Sequence, residues 1–408
     1  MRAATNGTVL ARLNDDGMTT PAALIIFYII SFYAFSENGA LSWTSFGLGT
    51  VLLGVMCYIH LFVRPLRFPR LFLVPWLFLL LNIVSLFWAR DTAQAIDEIK
   101  AIASAIMAAS AIWLALLTGV PVKVVLSGLV IGSLVLIGAS YPDLASFADT
   151  DRIASLVGNS NTMAVYLSYP SMLAWSVEGP NMGRWRLLSS GLVVFAFVFT
   201  GSRKMLIVVA AQAAFFLVHV FAHYKDQALW RRLVPCCAVL LASVLIINWS
   251  TVTDKTAEFL GTNQVVARAE KLDENRRGSS VYIRESMVSV GLQLWAEQPL
   301  AGLGAGQFKS QSGFNMYAHN NYVELLANDG IIGLILYYIV PAALLFVVLR
   351  PRARSSFSLE TRVNVVIAVL ALLFLDVATV TLRSKGYWVF LLSLAAALEL
   401  EESGDGIH

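Results

Sequence analysis

Residues 331–349 read IIGLILYYIVPAALLFVVL, a stretch without a single charge. A bilayer core about 30 Å thick is crossed by roughly 20 apolar helical residues. The stretch is continuously apolar and does not alternate, so it reads as a helix and not as a barrel strand. Comparable runs lie near 21–36, 41–63, 71–88, 101–118, 124–141, 162–177, 187–202, 205–222, 233–250, 363–382 and 387–400. Together they give about twelve spans, or about ten or eleven if the short runs 187–202 and 387–400 are discounted. The expected fold class is an all-α polytopic membrane protein.

Whole-chain composition agrees. Of 408 residues, 58% are hydrophobic and 13% are charged, about half the charged share of a soluble globular protein. Mean hydropathy is +0.70. The 29 Lys+Arg and 26 Asp+Glu cannot clothe a water-exposed body of this size. A disordered chain would be poor in apolar residues. Cys57, Cys236 and Cys237 all lie inside apolar runs, which excludes a disulfide scaffold. A net charge of +3 with no long basic block argues against a nucleic-acid partner. No cleaved leader is expected, since Asp15 and Asp16 precede the first run where a signal peptide carries positive charge, and Phe35-Ser36-Glu37 after it offers no small-residue cleavage site.

The scarce charges sort by loop. Arg64, Arg67 and Arg70; Lys123; Arg184 and Arg186; Lys225, Arg231 and Arg232; and Arg350, Arg352, Arg354 and Arg362 all fall on one side if there are twelve spans and the N-terminus is cytoplasmic. Basic loops stay in the cytoplasm. The opposite loops carry Glu37; Asp91, Asp97 and Glu98; and Asp143, Asp149 and Asp151. This orientation puts both termini in the cytoplasm and places the longest loop, about 251–330, before the tenth span and outside the cytoplasm. The expected division is spans one to nine in 1–250, the large loop in 251–330, and spans ten to twelve with a short tail in 331–408. Within the loop, the residues leading to Leu292-Gln293-Leu294-Trp295 resemble an amphipathic helix at the membrane interface.

Several elements on the outer face could carry chemistry. Gly201-Ser202-Arg203-Lys204 sets two cations between spans, although two snorkelling anchors would look the same. Arg284 opens a helical pattern that ends at Pro299, and Gly302, Gly304 and Gly306 follow. These glycines allow close backbone approach or positive φ, or simply a flexible turn. No Lys-Ser/Thr follows them, so they are not a nucleotide loop. His319-Asn320 precedes Gly330 and Gly333, which could just mark the start of the next span. His319 is one of five histidines and the one expected outside, since His60, His219 and His223 sit near cytoplasmic ends and His408 is terminal. Asp376 lies in an apolar run, where an ionisable group suggests a role or a partner. Arg383 follows two helical turns later, so the two are expected to point the same way. Asp149-Thr150-Asp151 could bind a metal, but so short a pattern recurs by chance.

The order Gly201-Ser202-Arg203, Arg284 with Pro299 and Gly302-x-Gly304-x-Gly306, then His319-Asn320-x9-Gly330-x-x-Gly333 resembles the O-antigen ligase and polysaccharide polymerase superfamily. Arg152 with Gly158-Asn159-Ser160-Asn161, and Asp376 with Arg383-Ser384, resemble it too. The resemblance implies a GT-C-like glycosyltransferase of the bacterial inner membrane with its active site outside. Such enzymes take a glycan from undecaprenyl diphosphate. Ligases pass it to lipid A core, and polymerases pass it to another lipid-linked repeat. The implied reaction is inverting and needs no cofactor, nucleotide sugar or metal. Membrane lipids and other polysaccharide-assembly proteins are the further partners expected.

The residues suit that chemistry. Arginine forks hold diphosphate oxygens bidentately and stay charged, which nominates Arg203 and Arg284, with Arg383 as a third. His319 has the ordinary pKa of a base for a sugar hydroxyl. His319, Arg284 and Arg203 are thus the catalytic candidates, with Asn320, Asp376, Gly330 and Gly333 in support; Asp376 could orient a partner or neutralise Arg383. Arg268, followed by Leu272, competes with Arg284, and Arg276 and Arg277 could also touch phosphate. The competing class is a transporter or flippase of lipid-linked oligosaccharide, against which stands the absence of an internal repeat.

Overall fold

A computed structural model describes residues 21–33, 39–59, 70–140, 160–179, 181–200, 202, 204–223, 280–351 and 356–403. The described residues are helical, with no strand among them. In chain order the helices are α1 (Pro21–Tyr33), α2 (Gly39–Tyr58), α3 (Leu73–Val84), α4 (Thr92–Leu117), α5 (Val122–Ala139), α6 (Ser160–Ser176) and α7 (Met182–Thr200). They continue with α8 (Met205–His223), α9 (Ser280–Glu297), α10 (Gln307–Gln311), α11 (Asn321–Leu349), α12 (Leu359–Asp376) and α13 (Lys385–Ser403).

Five of these, α4, α5, α7, α8 and α11, are long and apolar enough to cross a membrane. Each expected apolar run falls on a described helix except 233–250, which lies outside the described residues, as does the first part of the loop, 251–279. Inside the apolar helices, several hydroxyls are satisfied by carbonyls one turn back. Ser133 donates to Leu129 O at 2.7 Å, Ser176 to Met172 O at 2.7 Å and Thr200 to Ala196 O at 2.6 Å. This leaves few polar atoms to seek water that a bilayer lacks. The main core gathers where α4 packs on α13 and α2, and α11 on α3 and α12. At its centre Tyr337 stacks on Tyr387 at 5.4 Å and meets Trp388 and Phe78 edge-on at 5.3 and 5.6 Å.

Contacts between helix ends fix an up-and-down arrangement. The starts of α8, α11 and α13 and the ends of α7 and α12 meet at one end of the bundle. Ser202 donates to Asn161 Oδ1 at 2.7 Å, Lys204 to Thr379 Oγ1 at 2.8 Å, and Thr381 N to Asn321 Oδ1 at 2.9 Å. At the other end Arg186 of α7 pairs with Glu360 of α12 at 2.9 Å, and Arg362 donates to Val348 O of α11 at 2.8 Å.

α9 begins at Ser280, one turn before Arg284. Met287, Gly291 and Leu294 are its buried positions, spaced for one helical face. That face packs on α11. With Leu303, Phe308, Ala318, Val323 and Ala327 it forms a second, smaller core. The α9 helix expected at the membrane interface therefore covers the start of α11.

Candidate active site

The two glycine elements, read separately in the sequence, form one device. Gly330 has φ 64° and ψ −165° and breaks α11 after its first nine residues. A break strands backbone groups that need partners. The turn after α9 supplies them. Leu303 N donates to Ala327 O at 2.9 Å and Gly304 N to Asn328 O at 2.8 Å. Ile331 N and Ile332 N donate to Pro299 O and Leu300 O at 3.0 and 3.1 Å. The approach leaves no room for side chains: a Cβ on Gly330 would lie 2.3 Å from Leu300 O, and one on Gly302 2.3 Å from Asn328 O. Gly302, Gly304 and Gly306 all have positive φ, at 68°, 108° and 68°. The segment is thus a locked turn, not a flexible one. It is also tied to the start of α4: Trp88 Nε1 donates to Gly302 O at 3.0 Å, and Asp91 and Gln307 exchange two hydrogen bonds of 2.9 Å.

This lock positions the segment carrying His319. Glu324, one turn into α11, accepts from Ala318 N at 2.6 Å and from Asn328 Nδ2 at 3.2 Å. Asn320 caps α11, its Oδ1 accepting from Tyr322 N and Val323 N at 3.0 and 3.2 Å. Between them His319 takes a left-handed φ of 55°, rare for a residue with a side chain. Its ring lies against Tyr317 with centroids 4.3 Å apart.

Around His319 the positive charge is concentrated. Burial is the largest cause lowering its pKa from 6.5 to about 4, followed by the charges of Arg284 and Lys204. Lys204 itself is lowered to about 8, by burial and then by Arg284. Arg284 of α9, Lys204 at the turn before α8, and His319 thus share one electrostatic neighbourhood. A cleft of about 400 Å³ is lined by Arg284, Glu285, Val288, Asn320 and Val377.

The remaining candidates are distributed differently from expectation. Arg203, Arg268, Arg276, Arg277, Arg152, Asp149 and Asp151 lie outside the described residues. Ser202 and Asn161 bring the Gly-Ser-Arg-Lys turn and the Gly-Asn-Ser-Asn segment together. Asp376 and Arg383 do not share a helix face. α12 ends at Asp376, and the chain leaves the helix before Arg383. Asp376 accepts instead from Tyr338 Oη at 2.9 Å and Thr381 Oγ1 at 2.5 Å. Arg383 pairs with buried Glu98 of α4 at 3.1 Å and lies over the Tyr317 ring at 5.2 Å. Of the two roles expected for Asp376, neutralising Arg383 therefore falls to Glu98 instead. Gly333 is filled by its neighbour, since a Cβ there would meet Asp329 Cβ at 2.1 Å.

Three participants carried no individual signal in the sequence. Lys204 stood beside Arg203 without a role of its own. Glu98 was one of several acids in an outer loop. Asn321 follows His319-Asn320, and its Oδ1 accepts from Thr381 N and Leu382 N at 2.9 and 3.2 Å while its Nδ2 donates to Tyr338 Oη at 3.2 Å. It fastens the loop after α12 to the start of α11.

Residues 188–338 match the O-antigen ligase family. The match spans the Lys204 turn, Arg284, the glycine turn, His319-Asn320 and the Gly330 break. It supports placement in the O-antigen ligase and polymerase superfamily, and with it a membrane protein of glycosyl-transfer type. Asp376 and Arg383 fall beyond the matched segment. Among curated proteins none matches the chain significantly.

Proposed function

We propose that this chain is a membrane glycosyltransferase that moves a glycan from undecaprenyl diphosphate to a sugar hydroxyl in cell-surface polysaccharide assembly. The observation that carries this reading is the convergence of Arg284, Lys204 and His319 at one end of the bundle, beside a cleft that Arg284 and Asn320 line.

The chemistry follows from those groups. The acceptor oxygen forms a bond to the anomeric carbon while the bond from that carbon to the diphosphate oxygen breaks. Charge grows on the leaving diphosphate, where fixed cations stabilise it most. Arg284 offers a planar fork and Lys204 a point charge, with Arg203 the remaining candidate from the same turn. The acceptor proton goes to His319, kept neutral at pH 7 by burial and by its cationic neighbours. A bound diphosphate offsets those neighbours, so His319 becomes a stronger base when the donor is in place. The displacement is inverting and places its active site on the extracytoplasmic side of the inner membrane. Lipid A core and a lipid-linked repeat are the two acceptor classes.

Deletion of the gene followed by glycan gel analysis tests the reading. A ligase deletion keeps polymer on the lipid carrier and leaves core lipid bare. A polymerase deletion leaves core capped by single repeats. His319→Ala, Arg284→Ala and Arg203→Ala should each reproduce the deletion while inserting normally. Wild-type glycan in a His319→Ala strain refutes the assignment of the base.

A further inference from the structure

The end of the bundle away from His319 holds a second cluster that the proposed transfer does not use. His219 and His223 lie four residues apart on α8, hence on one face. Glu360 faces them from the first turn of α12. His219 Nδ1 lies 2.9 Å from Glu360 Oε1, and His223 Nδ1 lies 3.4 Å from Oε2. One donor atom from each residue lies within 4.8 Å of the other two. Ligands around a tetrahedral zinc, each at about 2.0–2.1 Å from it, stand about 3.4 Å from one another.

The donors are held from behind. Arg186 gives Nη1 to Glu360 Oε1 at 2.9 Å, and its Nε bonds Ala174 O at 3.2 Å. Its guanidinium lies over Trp175 at 5.0 Å, and Trp175 meets the His219 ring edge-on at 5.7 Å. Such an outer layer fixes the ligand orientation that metal sites need. The His223 side chain is 54% exposed, which leaves a way in and room for a further ligand.

We propose that His219, His223 and Glu360 bind a divalent transition-metal ion, zinc by preference, clamping α8 to α12. Two imidazole nitrogens and a carboxylate suit zinc, whereas magnesium and calcium favour oxygen ligands throughout. Arg186 keeps Oε1 and leaves Oε2 for the ion. His219 Nδ1, 3.2 Å from Arg186 Nη1, and His223 Nδ1, 3.1 Å from His219 O, each exchange that contact for the metal. The nearby guanidinium holds the affinity below that of an all-thiolate structural site. The position is about 22 Å along α8 from Lys204, at 1.5 Å per residue, so it is separate from the transfer site.

The full-length protein, purified in detergent through a tag without histidines and stripped of metal, is titrated with cobalt(II) at pH 7.5 and followed by visible absorption. One equivalent should bind and be displaced by zinc but not by magnesium. His219→Ala and His223→Ala should each weaken binding at least tenfold, while His319→Ala binds as wild type does. Absence of a cobalt spectrum in the wild type overturns the proposal. So does unchanged binding in His223→Ala, a half-exposed position whose truncation leaves the fold intact, or equal competition by magnesium. None of these readouts depends on glycan transfer.

Discussion

The pH dependence of transfer offers the sharpest test of the site's electrostatics. His319 must be neutral to accept a proton, so activity is lost as pH falls through its pKa. Burial, Arg284 and Lys204 together lower that pKa from 6.5 to about 4. At pH 5 a histidine titrating near 4 is about 90% neutral, whereas one titrating near 6.5 is only about 3% neutral, roughly a thirtyfold difference in competent enzyme. The perturbation is Lys204→Met, which removes one of the two cations while keeping an unbranched side chain. The His319 pKa should rise towards 6.5, and the acid limb of kcat/KM should rise with it. The assay is initial-rate transfer by purified protein from a lipid-diphosphate donor, followed from pH 4 to pH 8. Since kcat/KM reports the free enzyme and kcat the loaded one, the wild-type kcat limb should lie above its kcat/KM limb once the diphosphate has offset the cations. A wild-type kcat/KM limb already near 6.5 refutes the argument that burial and these cations hold His319 neutral, and a limb that stays put in Lys204→Met refutes the part assigned to Lys204.

Four further outcomes follow from particular contacts. Gly330→Ala forces a side chain into a backbone region that only glycine adopts readily, at about 1–3 kcal/mol, and drives its Cβ to 2.3 Å from Leu300 O; a markedly lowered melting temperature and a loss of folded protein are expected. Asn321→Ala strands the N–H groups of Thr381 and Leu382 at about 1–3 kcal/mol each, so transfer should fall sharply and the melting temperature drop. Arg284→Lys keeps the charge but loses the fork; it should raise donor KM and depress kcat, and near-normal kinetics would show that a point charge suffices. Glu98→Gln and Arg383→Gln each break the same pair, so their effects on kcat should be non-additive in the double variant.

The helical class and the series of apolar runs were legible because a bilayer tolerates few charges and demands internally bonded backbone. His319, Arg284 and the Gly-Ser-Arg-Lys turn could be singled out by residue type, and the structure brings His319, Arg284 and Lys204 into one electrostatic neighbourhood. Three-dimensional pairing was not. Periodicity extrapolated from Asp376 to Arg383 assumed one continuous helix, and the chain leaves that helix at Asp376. Glu98 precedes Arg383 by 285 residues, so only packing of α4 beside the loop after α12 joins them. Likewise the glycine turn and the Gly330 break carry signals of backbone freedom, but not that each satisfies the hydrogen bonds the other leaves open. The His219-Glu360 contact was hidden for the same reason, since helical spacing pairs the two histidines but says nothing about which helix faces them.

The cations at the His319 end of the bundle differ in how free their charge is, and this ranks them for the proposed diphosphate. Arg383 already has a carboxylate, Glu98, at 3.1 Å, and an aromatic face, Tyr317, at 5.2 Å. Moving it onto phosphate would leave Glu98 buried without its counter-charge, which costs several kcal/mol. Its geometry therefore suits holding Tyr317, and through that ring His319, more than gripping the leaving group. Among the described residues, no carboxylate lies within ion-pair distance of Arg284 or Lys204. Instead they burden each other and His319 with like charge. Like charges held together, Lys204 partly buried and Arg284 exposed, are unfavourable until an anion arrives, and in the proposed reaction a diphosphate relieves both at once. In the proposed reaction, the repulsion that adds to burial in keeping His319 a weak base becomes binding energy for the donor, and its relief strengthens the base at the moment the acceptor proton must leave.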